Sequence, residues 1–228
     1  MDAFDQALLD HFENKEEQPL WLHTSYGAPE EMPVWYFFRS YEEMPEMEQM
    51  ALSVCEGRVL DVGAGTGVHS LILEHFGHSV TAIDTSAAAV EIMTKSGLKK
   101  AEQKGFYELE NEKFDTILLL MNGLGLIGKL NNLPDFLEKA ATLLNPGGQL
   151  IFDTSDIRYL YNGQALPQEH YYGEVSFCYE YKGQKGEWFD WVYIDKDTLS
   201  ARADKLGWYT YFLHSDENDQ YLVRLIRK

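Results

Sequence analysis

Asp61, Gly63, Gly65 and Gly67 are spaced two apart at the junction between an apolar run and a helical one. Glycines there permit a tight turn and close ligand approach, and the amides opening the next helix attract an anionic group. A dinucleotide site uses the same physics with the spacing G-x-G-x-x-G. This loop departs from that spacing, because Val68 follows Gly67, and it sets a carboxylate, Asp61, directly before the turn. Beside a pyrophosphate that charge is a liability, whereas beside an ammonium or a sulfonium it helps. Asp84 closes a β-branched run 23 residues further on, where an acid accepts both hydroxyls of a ribose. An aspartate before Thr-Ser also caps a helix, so Asp84 takes its binding reading from the glycine loop.

These residues need strand ends to hold them. Arg58 to Val62 reads as a short apolar strand, Val68 to Phe76 as a helix, Ser79 to Ile83 as a second strand and Ala87 to Lys95 as a helix. A third strand is placed around Phe106. The fourth, Thr116 to Met121, is continuously apolar, as a strand buried on both faces must be. Asn132 to Leu144 reads as a helix, Asn145-Pro-Gly-Gly148 as a turn and Gln149 to Phe152 as a fifth strand. Strand alternating with helix predicts a parallel sheet covered on both faces. Tyr171 to Tyr181 and Glu187 to Ile194 then alternate as antiparallel strands, Asp197 to Leu206 reads as a helix, and Trp208 to His214 with Tyr221 to Arg227 form a closing hairpin. Seven to nine strands in one sheet are expected.

Residues 1–56 differ in texture. They hold 13 acids and two bases, and they carry Trp21, Tyr26, Trp35 and Tyr36. Helical spacing at 3–13 and 44–52 predicts a helical and loop appendage. The division expected is a lid segment at 1–56 and a Rossmann-like domain at 57–228, with inserted strands at 154–195 as an acceptor-binding region.

The chain resembles the class I S-adenosylmethionine-dependent methyltransferases. The resemblance rests on Val59-Leu-Asp-Val-Gly-Ala-Gly-Thr-Gly67, Ala82-Ile-Asp84, Phe114-Asp-Thr-Ile-Leu118 and Leu144-Asn-Pro-Gly-Gly148. It is close over 57–153 and looser over the final strands. It implies an α/β fold: a doubly wound, mostly parallel sheet with a closing antiparallel hairpin, an inserted strand pair after strand five and the N-terminal appendage. It also implies S-adenosyl-L-methionine as methyl donor. By position, Asp61, Gly63, Ala64 and Gly65 would line its methionine end, Asp84 would hold the ribose and Thr85 would flank the adenosine. Met121 and Asn122 would stand beside the sulfonium methyl, with Leu124 and Gly125 continuing that wall. Family members commonly carry an acid at the end of strand three for the adenine amino group. Here that place falls at Gly105-Phe106, with Glu102 and Glu108 close by, so Phe106 would serve through its backbone. Asn122-Gly123 also departs from the Asn/Asp-Pro-Pro-Tyr of amino- and nucleobase-modifying relatives.

A sulfonium is an activated donor, so methyl transfer needs in-line positioning above all, and a general base only where the acceptor must lose a proton. The weak candidates for such a role are His170, Tyr26 and Tyr171. Tyr26, Trp35 and Tyr36 either close over the donor as an aromatic lid or pack the appendage onto the sheet. His170 is either a base or a surface histidine at a strand end. Asp153 to Asp156 lies at the ligand-binding edge of strand five, as a cap or as a substrate contact. His69, His75 and His78 lack the partners of a metal site, so no metal is expected.

The formal net charge of −18 disfavours nucleic acid and anionic membranes as partners. A small-molecule acceptor is expected; a basic protein drawn to the acidic segment is the variant of that reading, and homo-oligomerisation is left open. Cys55 and Cys178 form no disulfide framework, and the opening residues carry no secretory pattern, so a cytoplasmic protein is expected. Two other readings compete: a nicotinamide-dependent oxidoreductase, and a protein that binds S-adenosylmethionine without turnover.

Overall fold

The structure, a computed structural model, describes residues 2–228. In chain order the elements are α1 (Ala3–Phe12), β1 (Leu20–Thr24), β2 (Glu30–Met32), α2 (Glu46–Ser53), β3 (Arg58–Val62), α3 (Val68–His75), β4 (Ser79–Asp84), α4 (Ala87–Lys95), β5 (Ala101–Gln103) and β6 (Phe114–Leu119). They continue with α5 (Leu133–Leu143), β7 (Leu144–Ser155), β8 (Glu174–Tyr181), β9 (Gln184–Lys185), β10 (Phe189–Val192), α6 (Lys196–Lys205), β11 (Trp208–Ser215) and β12 (Gln220–Arg227).

Seven strands form the main sheet in the order β11-β12-β7-β6-β3-β4-β5. The five from β7 to β5 are parallel, and β12 runs antiparallel between β7 and β11. The central strands are apolar because helices cover both faces: Leu60, Ile117, Leu119 and Phe152 pack with Phe136 and Leu137 of α5 on one side. Val59, Leu118 and Ile151 pack with Met47, Ala51 and Leu52 of α2 on the other. The helices begin where the sequence supplies caps. Ser86 Oγ accepts the Ala89 amide at the start of α4, and Asp195 accepts the Thr198 amide at the start of α6.

Two expectations are corrected. The third parallel strand is β5, with Gln103 opposite Asp84, so it ends before Phe106. The Phe106 ring instead lies in the core, its centroid 4.8 Å from that of Phe136. The inserted strands do not extend the main sheet either. They form a second sheet in the order β10-β8-β1-β2, with β9 paired to β8. Two of its strands thus come from the segment read as helix and loop, with Trp21 to Thr24 opposite Phe177 to Glu180. One face of this sheet packs on α1 and α4 through Leu20 and Tyr181.

The second sheet also presses on the turn that follows β6. Gly125 has no room for a side chain, since a Cβ there would come within 1.9 Å of Trp191 Nε1 on β10. Gly125→Ala must displace the indole, so the variant is expected to lose about 1–3 kcal/mol of stability. Urea unfolding followed by tryptophan fluorescence checks this, with a lowered midpoint and an altered native emission expected.

Candidate active site

The carboxyl ends of β3, β4, β6 and β7 meet the start of α3 and the lower face of the second sheet. Gly63, Gly65 and Gly67 all have positive φ (+68°, +56° and +82°), a region open to glycine at little cost. They differ in surroundings. A Cβ at Gly67 would come within 2.6 Å of Met93 Cγ, so that glycine lets α3 pack on α4. At Gly63 and Gly65 nothing lies within 4 Å of the Cβ position, so these two border open space. The Gly63 and Ala64 amides donate to the Ile83 carbonyl at 2.9 and 3.1 Å, which fastens the loop to the end of β4.

Three aspartates stand near the carboxyl ends of β3, β4 and β7 around this space. Asp61 Oδ2 accepts from Ser70 Oγ of α3 at 2.7 Å. Asp84 accepts the Gly65 amide through Oδ2 and the Ser86 amide through Oδ1, both at 2.9 Å. Asp153 accepts the Asn122 amide through both oxygens at 2.9 Å and Gln220 Nε2 through Oδ2. Burial pushes the carboxyls of Asp61 and Asp84 above the ordinary aspartate range. It pushes Asp153 up to about 6 despite its hydrogen bonds. None of the three has a lysine or arginine salt-bridge partner among the described residues.

Asp153 also holds an unusual backbone. Met121 and Asn122 both have positive φ (+62° and +56°) where the chain leaves β6, a conformation side chains adopt only where surrounding contacts enforce it. The Asn122 amide is fixed by Asp153, and its Oδ1 accepts from Ser155 Oγ at 3.0 Å. The strained pair faces the glycine loop's edge of the sheet.

A buried network behind the loop was not legible as a site in the sequence. Glu48 of α2 accepts from Arg39 Nη2 at 3.0 and 2.8 Å and bonds His69 Nε2 at 2.7 Å. Burial alone would raise the Glu48 carboxyl, but its His69 and Arg39 partners prevail and hold it below the usual glutamate range. The Arg39 guanidinium lies 3.5 Å from the Tyr36 ring centroid, and its Nε and Nη1 have no partner. Thr66 donates to the Phe37 carbonyl, so the glycine loop is tied directly to the same N-terminal segment.

Of the residues singled out from sequence, the structure gathers Asp61, Gly63, Ala64, Gly65, Asp84, Met121 and Asn122 at one edge. Thr85 sits just outside it, exposed, with its carbonyl accepting from Gln103 Nε2. Tyr26 and Tyr36 lie on the second-sheet side. His170 is exposed in the 162–173 loop, without a hydrogen bond among the described residues. Tyr171 donates to Asp195 Oδ2 at 2.6 Å and accepts the Asp195 amide at 2.8 Å, so its hydroxyl anchors the start of α6. The depressions of about 340 Å³ at Lys113 and Lys139 and about 450 Å³ at Leu137 and Trp208 lie away from this edge.

The family described as methyltransferase domain matches residues 37–211. The chain belongs to that family: it is a class I S-adenosylmethionine-dependent methyltransferase, with S-adenosylmethionine as methyl donor. A solved methyltransferase from Bacteroides fragilis, in complex with S-adenosyl-L-homocysteine, is 39% identical at a TM-score of 0.90, covering 99% of this chain and 94% of that one. Demethylmenaquinone methyltransferase of Tropheryma whipplei is 32% identical over 99 residues, 41% of this chain and 39% of its own length. Glycine N-methyltransferase of Rattus norvegicus is 28% identical over 141 residues, 50% of this chain and 46% of its own. The matched stretches thus span less than half the length of these curated relatives. The edge suits such a donor chemically: space over two glycines, three carboxylates without a cation, and unpaired Arg39 donors.

The raised Asp153 carboxyl sets a pH dependence. The folded state keeps this proton from about pH 4 to about pH 6 while the unfolded state has lost it, so folding stability falls as pH rises through that window. Relative to Asp153→Asn, the wild type is expected to lose on the order of 3 kcal/mol between those limits and to change little above them. Paired urea titrations at pH 4, 5, 6 and 7 read the difference directly.

Proposed function

We propose that this enzyme moves a methyl group from S-adenosylmethionine to a small-molecule acceptor by in-line displacement. The observation that carries the reading is the open space over Gly63 and Gly65 beside the carboxylate of Asp84. Bound there, the donor supplies a methyl already activated on a sulfonium. Asp61, Gly63, Ala64 and Gly65 receive its methionine end, and the unpaired Arg39 donors offer a counter-charge to its carboxylate. Asp84 accepts from the ribose hydroxyls and Thr85 flanks the adenosine. Met121 and Asn122, held by Asp153, form the wall against which the methyl is presented.

What the chain adds is placement and exclusion of water. The second sheet and the Trp35–Phe38 turn roof the edge, and 154–195 supplies most of the acceptor side. The matched relatives are named for acceptors as different as demethylmenaquinone and glycine, so the acceptor is read from this chain's own pocket. The acidic surface supports a small molecule over nucleic acid.

Thermal unfolding with S-adenosylmethionine, S-adenosylhomocysteine and NADH tests the donor site. Both sulfur nucleotides are expected to raise the midpoint, with about 2.7 kcal/mol of stabilisation at a hundred times the dissociation constant. Asp84→Ala should weaken both by roughly 10- to 100-fold through the lost ribose contacts. Stabilisation by NADH alone would contradict the proposal.

A further inference from the structure

The roof over the strained Met121–Asn122 pair is a bowl of aromatic rings. Phe177 of β8 is its centre, with Tyr26 at 6.2 Å, Phe189 at 6.0 Å and Tyr193 at 6.4 Å between ring centroids. Phe189 in turn meets Trp191 at 6.1 Å, and Trp191 packs on Gly125 of the turn after β6. Phe189, Trp191 and Tyr193 are only half-buried, and Tyr26 is 43% exposed. Phe177 itself is buried beneath them, so the surface on offer is that of the outer rings.

Some aromatic rings elsewhere in this chain are met by the chain's own cations, although others are not. Arg39 covers Tyr36, Arg158 covers Tyr172, Lys182 covers Tyr181, and lysines and arginines lie over Tyr209, Tyr211 and Trp208. Among the described residues no lysine or arginine lies over Tyr26, Phe177, Phe189, Trp191 or Tyr193. A cation over a ring face is attracted by the ring quadrupole, most strongly where water is excluded.

The ionisable groups beside the bowl are hydrogen-bonded within the chain or stay neutral. Asp153 accepts the Asn122 amide through both oxygens, and one also accepts from Gln220. His23, the histidine of the second sheet, is opposite Cys178 and so faces away from Phe177, bonded to Glu180 at 2.8 Å. Burial first, and then neighbouring phenols and Asp153, push the Tyr193 hydroxyl up, and burial with Glu30 and Tyr159 pushes Tyr26 up to about 12. These phenols stay neutral. Thr24, opposite Phe177 and on the same face, is nine-tenths buried with its Oγ1 unpartnered, an acceptor left for an N–H donor.

From this bowl we infer that the acceptor is an amine carried on an apolar or aromatic body, held by the rings of Tyr26, Phe177, Phe189, Trp191 and Tyr193. The inference rests on the methyl-transfer reading of the same site. In the step it implies, the acceptor first loses its ammonium proton to water, and the neutral amine's lone pair then forms the new C–N bond. The C–S bond breaks with its pair remaining on sulfur, and the resulting ammonium releases a proton to water. One positive charge is present throughout and moves from sulfur to nitrogen, so ring faces that stabilise a cation serve both ends of the step.

Binding of benzyltrimethylammonium and of its uncharged isostere neopentylbenzene, measured by tryptophan fluorescence and calorimetry with S-adenosylhomocysteine present, tests this. The cation is expected to bind roughly tenfold tighter than the isostere. Tyr193→Leu should weaken the cation by about fivefold or more, while Tyr193→Phe keeps it within about twofold, because the ring face and not the hydroxyl is used. S-adenosylhomocysteine affinity, read in the same samples, confirms that each variant is folded. Equal binding of the two probes, preference for the neutral one, or no cation binding by protein that holds S-adenosylhomocysteine overturns the amine inference and leaves methyl transfer standing. Failure to bind S-adenosylhomocysteine overturns both.

Discussion

Three aspartates, Asp61, Asp84 and Asp153, stand near the carboxyl ends of β3, β4 and β7 of the main sheet with their carboxyls withdrawn from water and no lysine or arginine paired to them. Desolvating a carboxylate costs several kcal/mol unless donors compensate. Here the donors are mostly the backbone of the very loops that build the site: the Gly65 and Ser86 amides on Asp84, and the Asn122 amide on Asp153. Each carboxyl therefore shapes a loop while keeping a surplus of negative potential. That surplus is the property on which the cofactor reading depends, because a sulfonium donor brings the missing charge.

The rest of the chain encloses this edge. Segments from both ends of the sequence join in the second sheet, β1 pairing with β8 across more than 150 residues. Arg39, Glu48 and His69 connect that roof to α3, and Ser86 donates to Asp5 of α1 at 2.5 Å at the start of α4. The roof is thus bonded to the donor side by charged and polar contacts, and it meets the acceptor side through ring faces. Opening the site for exchange of ligands strains the polar contacts, whereas in the proposed reading acceptor choice falls to the rings.

The parts legible in the sequence were those with a local cause. Continuous apolar runs gave β3, β4, β6 and β7, glycines at fixed offsets gave the turn into α3, and Asp84 followed from its place after a strand. β5 carried no such mark, being three residues long, at the sheet edge and polar, which moved the expected strand to Phe106. β1 and β2 were missed because their partner strand lies far along the chain and Pro29, Pro33 and scattered acids between aromatics read as loop. Arg39 and Glu48, nine apart, carry no local pattern that marks them as a buried pair. The available signal was Arg39 itself, one of two bases among 13 acids in residues 1–56, although only packing shows that its side chain is buried.

The surplus potential of the three carboxyls is tested most directly by proton linkage in donor binding. Calorimetry of S-adenosylmethionine binding at pH 6, in buffers of differing ionisation enthalpy, counts the protons exchanged. A cation entering beside Asp153, whose carboxyl is raised to about 6, must lower that pKa, so net proton release is expected, fading as pH rises toward about 8 where this carboxyl is already ionised. Binding without proton release at pH 6, or with uptake, would contradict the account.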